Sequence, residues 1–362
     1  MRGRGSAAAI AAATLAAGIL AACGSDNGGG GGEGKKIALL LPETKTARYE
    51  AHDRPDFEAR VKQVCPKCTV TYANATQDAT KQQTQAEAAI TKGADVLVLD
   101  AVDAKSATAI VKRAKSAKVP VLAYDRLISG AKIDYYVSFN NVRQGRIQAQ
   151  TLLDKLGSGA KGKSIVMVNG APTDPSAGDY KRGAHQVFDK SGVKIAKEYD
   201  TPDWSPDKAQ REMDQASTAL GKTGFVGVYS ANDGMASGII ASLKGAGIKP
   251  TKIPVTGGDA EVAALQRILA GDQYSTIYLT IKKQAQTSAD IAVAAAQGKK
   301  PPAGVINAQV DNGAGKVPSV LLTPVAVTKD NIDDTVIKDG FYRPSEICSA
   351  SLAATCKSAG IE

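Results

Sequence analysis

Several residue types and motifs on which enzymes depend are scarce or missing in this sequence. The 362 residues include two histidines and one tryptophan, and aromatic residues make up 5% of the chain. No glycine-rich dinucleotide fingerprint follows the first predicted strand, and no Gly-x-Ser-x-Gly motif marks a nucleophilic serine. We therefore expect that the protein is not an enzyme, with no catalytic residues, no cofactor and no metal.

Paired carboxylates are the remaining route to catalysis, because two of them can cleave a glycosidic bond. Asp125 and Asp259 are the candidates for such a pair. Asp125 is followed directly by Arg126, and a neighbouring cation favours an ionised carboxylate over the proton donor that hydrolysis needs. This pattern favours a binding site over a site that cleaves sugars, although a secreted sugar-acting enzyme stays an alternative.

A clustered basic surface is also missing, although the formal net charge is +9. The lysines are scattered through predicted helices and do not form one basic run on a recognisable nucleic-acid-binding motif. A DNA-binding repressor would be expected to carry a helix-turn-helix motif at its N-terminus, where this sequence has the pattern of a secretory signal peptide, described next. We expect no nucleic-acid partner.

Long hydrophobic runs are confined to the N-terminus. Arg2 and Arg4 precede an apolar run at 7–20, and residues 20–23 (LAAC) form a lipobox. A basic start, a short apolar stretch and small residues before a cleavage site are typical of a secretory signal peptide. Cys23 would then be the first mature residue and would carry the lipid; an ordinary signal peptide with an incidental cysteine is the alternative.

The N-terminal pattern predicts two processed segments, a lipoprotein signal peptide at 1–22 and a glycine-rich tether at 23–34. Such a glycine-rich stretch cannot bury a core and behaves as a flexible linker. No second hydrophobic span follows it. We expect an extracytoplasmic domain, anchored by its lipid to the cell membrane.

Four cysteines remain once Cys23 is assigned to the lipid. An even number outside the cytosol indicates two disulfides, for which three connectivities are possible. Cys65 and Cys68 lie in a Cys-Pro-Lys-Cys motif, whereas Cys348 and Cys356 lie near the C-terminus, and we predict pairing within each couple. A zinc site and a thioredoxin-like redox motif are the alternatives, although a redox motif normally opens a helix and this one precedes a strand.

From Lys35 onward, predicted strands and helices alternate. Runs such as 96–99 (VLVL) are apolar at every position, which is typical of strands buried on both faces of a parallel sheet. The alternation runs from 37 to 123 and begins again at 164, and residues after Tyr274 supply too few elements for a third domain. The sequence predicts an α/β protein of two doubly wound parallel-sheet lobes.

Polar residues follow the predicted strands at their carboxyl ends. Ligands bind beyond these ends in open α/β sheets, so the residues are expected to converge in a cleft between the lobes. This set comprises Glu43, Thr44, Arg48, Tyr49, Tyr124, Asp125, Arg126, Asn140, Asn141, Asp203, Trp204, Asn232, Asp233 and Asp259. Capping of the next helix is the competing role for Asp203 and Asp233.

The chemistry of this set suits a sugar. Carboxylates accept hydrogen bonds from hydroxyls, guanidinium groups donate several in a fixed fork, and amides do both. A flat ring such as Trp204 can cover the C–H face of a sugar. A zwitterionic amino acid would need a dedicated carboxylate–cation pair, and phosphate sites prefer a glycine-rich turn at a helix start.

The chain resembles the xylose-binding proteins of sugar ABC transporters, within the type I (ribose- and galactose-binding-like) periplasmic binding proteins. The resemblance extends from about Lys36 to Tyr342, and its strongest segments are 121–126 (VLAYDR), 134–141 (DYYVSFNN), 230–233 (SAND), 321–324 (LLTP) and 333–341 (DDTVIKDGF). It implies ligand residues at Arg48, Tyr49, Asp125, Arg126, Trp204, Asn232 and Asp259. Tyr49 stands where the family often has Trp, Asn140 where an Asp is usual and Leu279 where a Lys is usual; we include Asn140 in the ligand set.

The resemblance also implies a hinge of three crossovers, near 139–141, 277–279 and 322–324. The first lobe would then comprise 35–139 and 279–322, the second lobe 140–278 and 323–345, with a tail at 346–362. The implied function is the capture of a monosaccharide, xylose or a related aldose, by a monomeric receptor that delivers it to an ABC permease. A sugar sensor that acts on a signalling partner without transport is the alternative.

Overall fold

We analysed the protein as a computed structural model that describes residues 34–361. The predicted signal peptide, the lipidated Cys23 and the tether up to Glu33 lie outside the described residues. None of the helices between residues 34 and 361 is both long and apolar enough to cross a bilayer.

The first lobe is a sheet covered by helices on both faces. It begins with alternating strands and helices and is completed by elements that return from the second lobe. These elements are β1 (Lys36–Leu41), α1 (Arg54–Val64), β2 (Thr69–Asn74), α2 (Ala79–Thr91), β3 (Val96–Leu99), α3 (Ala107–Ser116), β4 (Val121–Tyr124) and β5 (Tyr135–Phe139), and later α9 (Ile281–Ala296), β10 (Ala308–Asp311) and β11 (Lys316–Leu322).

Seven strands form the sheet of the first lobe, in the order β10-β11-β5-β4-β3-β1-β2. Leu39 of β1 pairs in parallel with Tyr72 of the edge strand β2 on one side and with Val98 of β3 on the other. All four residues of β3 are buried, as its continuous apolar run predicts. The edge strand β10 is antiparallel to β11, because the short connection between them permits a hairpin but no crossover.

The second lobe repeats the alternation. Its elements are α4 (Asn141–Leu156), β6 (Ser164–Asn169), α5 (Pro175–Ser191), β7 (Lys194–Asp200), α6 (Pro206–Leu220), β8 (Val228–Ser230), α7 (Asp233–Gly245), α8 (Val262–Ala270), β9 (Thr276–Tyr278) and β12 (Val325–Val327). Strands β7, β6 and β8 are parallel, in that order.

The second sheet is less regular than the sequence pattern indicates. The apolar segment 253–256 (IPVT) forms only one parallel bridge, between Val228 and Val255. Beyond it, β9 pairs with β12 in antiparallel fashion. The first lobe is therefore a mixed sheet with a parallel core, whereas in the second lobe the antiparallel pair of β9 and β12 forms a sheet separate from the parallel strands β7, β6 and β8.

The chain passes between the two sheets three times. It leaves the first sheet after Phe139, returns after Tyr278 to form α9, and leaves again after Leu322 to form β12. Helix α9 belongs to the first lobe, where Asp290 Oδ1 lies 2.8 Å from Arg60 Nε of α1. We propose the lobe boundaries given above for the sequence on this basis.

The C-terminal tail forms α10 (Pro344–Ile347) and α11 (Ala353–Ser358) and packs on α8 of the second lobe. Ile347 is fully buried there, and its carbonyl accepts a hydrogen bond of 3.1 Å from Gln266 Nε2. A disulfide joins Cys348 to Cys356 across this tail.

A second disulfide joins Cys65 to Cys68 between α1 and β2. Both couples that we predicted to pair locally are thus bonded in the structure.

Candidate ligand-binding cleft

A pocket of ≈ 350 Å³, partly open to solvent, lies at the carboxyl ends of the strands. Both lobes contribute to its wall. It is lined by Thr46, Arg48, Tyr49, Asp125, Arg126, Gln144, Asp174, Tyr180, Trp204, Ala231, Asn232 and Asp259. Seven of the eight ligand residues predicted from the sequence are in this set.

Asp125 directly follows β4 and adopts a left-handed backbone conformation, with φ of 58°. Its Oδ1 accepts from Arg48 Nη1 at 3.3 Å and from Gln284 Nε2 at 3.0 Å, and Tyr49 donates to Oδ2 at 3.4 Å. We predicted from the sequence that Arg126 is the cation that stabilises the ionised Asp125 carboxylate, and that prediction is wrong. The left-handed turn sends the two neighbouring side chains in different directions, so Arg48 is the partner.

The guanidinium of Arg48 is held in place by hydrogen bonds to Asp53 and Gln284. Its Nε and Nη2 donate to the two carboxylate oxygens of Asp53 at 2.9 and 2.8 Å, and Nη2 also donates to Gln284 Oε1 at 2.6 Å. Tyr124 donates to the same Asp53 carboxylate. Burial raises the pKa of Asp53, and the Arg48 cation opposes that shift. A guanidinium fixed in this way presents Nη1 to the cleft without losing further rotamer freedom.

Arg126 connects the two lobes. It is almost completely buried, and its Nε lies 3.1 Å from Asp174 Oδ2 in the second lobe and 3.5 Å from Asp100 Oδ1 in the first. Neither carboxylate oxygen of Asp100 has a hydrogen-bond partner among residues 34–361. Burial raises the pKa of Asp100 strongly, while Arg126 lowers it.

Asp174 is the junction of this network. Its Oδ1 accepts from Ser176 N at 2.8 Å and thereby caps α5, and its Oδ2 accepts from Trp204 Nε1 at 3.2 Å. One carboxylate therefore orders the start of a helix, the tryptophan ring and the opposite lobe.

Trp204 precedes α6 in a strained turn, where Asp203 and Trp204 have φ of 62° and 53°. A Cβ at Gly170 would lie 2.0 Å from the Trp204 ring, so only glycine permits this approach. Tyr180 meets the ring edge-on at 6.3 Å between centroids. Asp203 itself pairs with Lys208 at 2.6 Å and does not line the pocket.

Asn232 and Asp259 complete the wall of the second lobe. Asn232 Oδ1 accepts from Met235 N at 2.9 Å and caps α7. Asp259 has φ of 91°, and burial raises the pKa of its carboxyl well above the ordinary range, with the Arg48 cation opposing the shift. The neighbouring Asp233 is fully buried behind this wall, where Gln273, Thr276 and the Glu261 N–H donate to it.

Asn140, the eighth predicted ligand residue, does not line the pocket. Its side chain is exposed and accepts from Arg143 N at 3.0 Å, because α4 begins here and needs a cap. Leu279, which stands in place of a lysine in the resembling family, is buried in the core.

Five pocket residues were not predicted: Thr46, Gln144, Asp174, Tyr180 and Ala231. Asp174 obeys the rule of polar residues after strand ends, since it follows β6 and precedes the proline that opens α5. Gln144 and Tyr180 lie within helices, where the rule has no force and the sequence offers no signal.

Residues 157–164 (GSGAKGKS) match two glycine-rich phosphate-binding patterns, GxGxxG and GxxxxGK[ST]. Both patterns require glycines that follow a strand and open a helix. This segment follows α4 and leads into β6. It therefore opens a strand, and the match is a coincidence of composition.

Two α/β lobes joined by three crossings, with a polar pocket between them at the strand ends, define a two-lobed solute-binding protein. A periplasmic binding protein domain family matches residues 37–300 of the chain.

Individual relatives agree with that match. The chain is 35% identical over 316 residues to the D-xylose-binding periplasmic protein of Escherichia coli K12, covering 86% of this chain and 92% of that protein. It is 36% identical over 287 residues to the multiple sugar-binding periplasmic receptor ChvE of Rhizobium radiobacter, covering 75% and 81%. The chain belongs to the periplasmic binding protein family.

Solved structures show the same type I fold. A carbohydrate transporter solute binding protein from Chloroflexus aurantiacus, in complex with D-glucose, has a TM-score of 0.78 at 26% identity, covering 86% of this chain and 98% of that one. An ABC transporter solute binding protein from Clostridium phytofermentans with bound β-D-glucose has a TM-score of 0.77 at 25% identity, covering 86% and 100%.

Proposed function

We propose that this protein captures a monosaccharide, xylose or a related aldose, between its lobes and delivers it to an ABC importer. The observation that carries the proposal is the pocket itself, in which polar groups of both lobes surround one tryptophan ring.

The pocket offers a balanced set of donors and acceptors. Arg48 and the free Nδ2 of Asn232 can donate, whereas the carboxylates of Asp125 and Asp259 can accept. Trp204 supplies a flat apolar surface for the C–H face of the ring. A neutral polyol uses every one of these groups, which favours it over a phosphate or a zwitterion.

Closure of the lobes is the second part of the proposal. A ligand stabilises the closed form only if it contacts both lobes, because one that touches a single lobe binds the open and closed forms equally. Direct contacts already cross the cleft beside the pocket: Ala104 N donates to Thr173 O at 3.3 Å, and Ala47 N donates to Glu261 Oε1 at 3.3 Å. Such contacts would add to the ligand in holding the lobes together.

Export of the protein is supported by the sequence of residues 1–22 and by the relatives, whose names describe periplasmic proteins. We propose that Cys23 carries a lipid that tethers a monomeric receptor beside its permease. Conversion of Cys23 to serine would then release the protein into the medium. A variant that stays membrane-bound and lipid-labelled would contradict this anchor.

Binding without conversion is also part of the proposal. Three donors fix Asp125 on its protein side, so it is poorly placed to pass a proton to a glycosidic oxygen. A turnover assay with labelled pentoses would detect an enzyme. Transport is favoured over a sensor role by the relatives with bound glucose, which are named as transporter binding proteins, and a permease gene beside this one would support it further.

Calorimetric titration of the mature protein against a panel of pentoses and hexoses tests the proposal. We expect one aldose to bind with a stoichiometry of one and more tightly than the others. Absence of binding to every sugar by a folded protein would overturn it.

A further inference from the structure

Gln144 lines the pocket, and its amide oxygen is buried without a hydrogen-bond partner in the described part of the chain. It lies in the first turn of α4, where its backbone N–H donates to Asn140 O at 2.9 Å. The residue is 1% exposed and lines the pocket, yet its Oε1 has no hydrogen-bond partner within residues 34–361. A buried amide oxygen without a donor is destabilising, so proteins rarely retain one without use.

The next glutamine on the same face of α4 has hydrogen-bond partners for both atoms of its side-chain amide. Gln148, one turn further along, donates to Gly257 O at 2.7 Å and to two more carbonyls, and its Oε1 accepts from Tyr229 at 3.2 Å. It joins the end of β8 to the loop before Asp259. Gln148 is therefore structural, whereas Gln144 lines the pocket and its amide oxygen has no hydrogen-bond partner among residues 34–361.

The loop that contains Gly258 leaves space for the side-chain amide of Gln144. A Cβ at Gly258 would lie 3.4 Å from Gln144 Nε2 and 2.8 Å from Ala231 O, so glycine leaves space for the amide against this loop. Asp259 is the next residue and also lines the pocket. The amide of Gln144 therefore lies next to the loop that carries Asp259 into the pocket wall.

We infer that the side-chain amide of Gln144 forms a hydrogen bond with one hydroxyl of the bound sugar and selects for sugars that carry it. This inference rests on the proposed function of the pocket. A site built to bond a hydroxyl rejects an analogue that lacks it, because the buried polar group is then left unpaired. Gln144 is accordingly a specificity-determining residue that acts by direct contact.

The test compares wild type with Gln144→Met, which keeps the length of the side chain but removes the amide. Both proteins are titrated with the best sugar and with analogues that each lack one hydroxyl. We expect Gln144→Met to bind the best sugar roughly 5- to 150-fold more weakly. For one analogue, the affinities of the two proteins should be nearly equal, since the hydroxyl that Gln144 recognises is already absent.

Gln150→Met is the matched control, because Gln150 is exposed on the same helix and bonds to Asp154. It should leave every affinity unchanged. Gln144→Leu serves as a second variant if Gln144→Met does not fold, with the same expectation. Melting temperatures establish that each variant is folded.

The outcomes separate the two proposals. An equal loss of affinity for all analogues would show that Gln144 only shapes the pocket, and full affinity in Gln144→Met would show that it makes no contact; either result overturns the inference alone. If wild type binds no sugar of the panel, the proposed function itself fails.

Discussion

The Arg126 guanidinium of the first lobe lies 3.1 Å from the Asp174 carboxylate of the second lobe, and both side chains are almost completely buried. Asp174 also accepts from the Trp204 indole at 3.2 Å. An ion pair, a helix cap and the aromatic wall of the pocket thus share one carboxylate. The cleft is organised around a contact between the lobes as well as around its ligand.

Asp174→Asn should weaken sugar binding, because it leaves Arg126 with a poorer partner across the cleft. Removal of one partner from a buried charge pair costs about 2 kcal/mol or more, which is roughly 30-fold in affinity. Calorimetry with the best sugar measures the change. Asp189→Asn, on the exposed side of the same helix, is the control and should bind like wild type; an unchanged affinity in Asp174→Asn would contradict this role.

Asp125→Ala should have the largest effect among the acids of the pocket. The change leaves Arg48, Gln284 and the sugar hydroxyls without their shared acceptor. By analogy with buried charge pairs the loss is about 2–5 kcal/mol, or roughly 30- to 5,000-fold in affinity. Retention of full affinity by a folded Asp125→Ala variant would refute the location of the site.

Trp204→Ala should cost less, about 1–3 kcal/mol of binding energy, since it removes apolar coverage and no charged hydrogen bond to the sugar. Arg143→Ala is the companion variant. Arg143 is exposed on α4 outside the pocket, so it should be neutral in the same titration. A larger loss from Arg143→Ala than from Trp204→Ala would be inconsistent with this pocket wall.

The strand ends that line the pocket could be predicted from the sequence, because fully apolar runs indicate buried parallel strands and such strands end at one edge. The rule pointed to Asp125, Arg126 and Asn232, which line the pocket. Asn140 also follows a strand, but its side chain caps α4 and lies outside the pocket lining. Helix periodicity gave no reason to single out Gln144, because a buried polar residue in a helix is recognised only once its partners are known.

The ion-pair partners of the pocket residues could also not be predicted from the sequence. Asp125 and Arg126 are adjacent in the chain, yet each pairs with a residue that is distant in sequence. A left-handed residue at a strand end separates neighbouring side chains, and nothing in the six letters VLAYDR specifies that conformation.

On acidification, the affinity for sugar should begin to fall at a pH above about 3.9, which is the pKa of an ordinary aspartate. Burial raises the pKa of Asp259, and hydroxyls that donate to its carboxylate favour the ionised form, so binding lowers that pKa. Affinity is therefore greatest above the pKa of the free protein and declines as the pH falls through it. Titrations over a pH series measure the decline, and Asp259→Asn should flatten it; an identical pH profile in the variant would exclude Asp259 as its source.

Removal of the tail disulfide with Cys348→Ser and Cys356→Ser should lower the free energy of unfolding by about 2–3 kcal/mol, from the loop entropy of a bridge that spans 8 residues. Cys356 is buried against the core, which adds to the effect. The bridge from Cys65 to Cys68 spans 3 residues and should contribute less. Thermal unfolding of the two double variants ranks them, and the reverse order would contradict this account.

Small-angle X-ray scattering during titration with the best sugar tests the central claim most directly, because a ligand held by both lobes must favour the closed form. We predict a radius of gyration that decreases with the concentration of free sugar, reaches half of its total change at the dissociation constant found by calorimetry and then saturates. The Asp125→Ala variant should show this decrease only at higher sugar concentration. A radius of gyration that stays constant while the calorimeter reports binding would contradict capture of the sugar by closure of the two lobes.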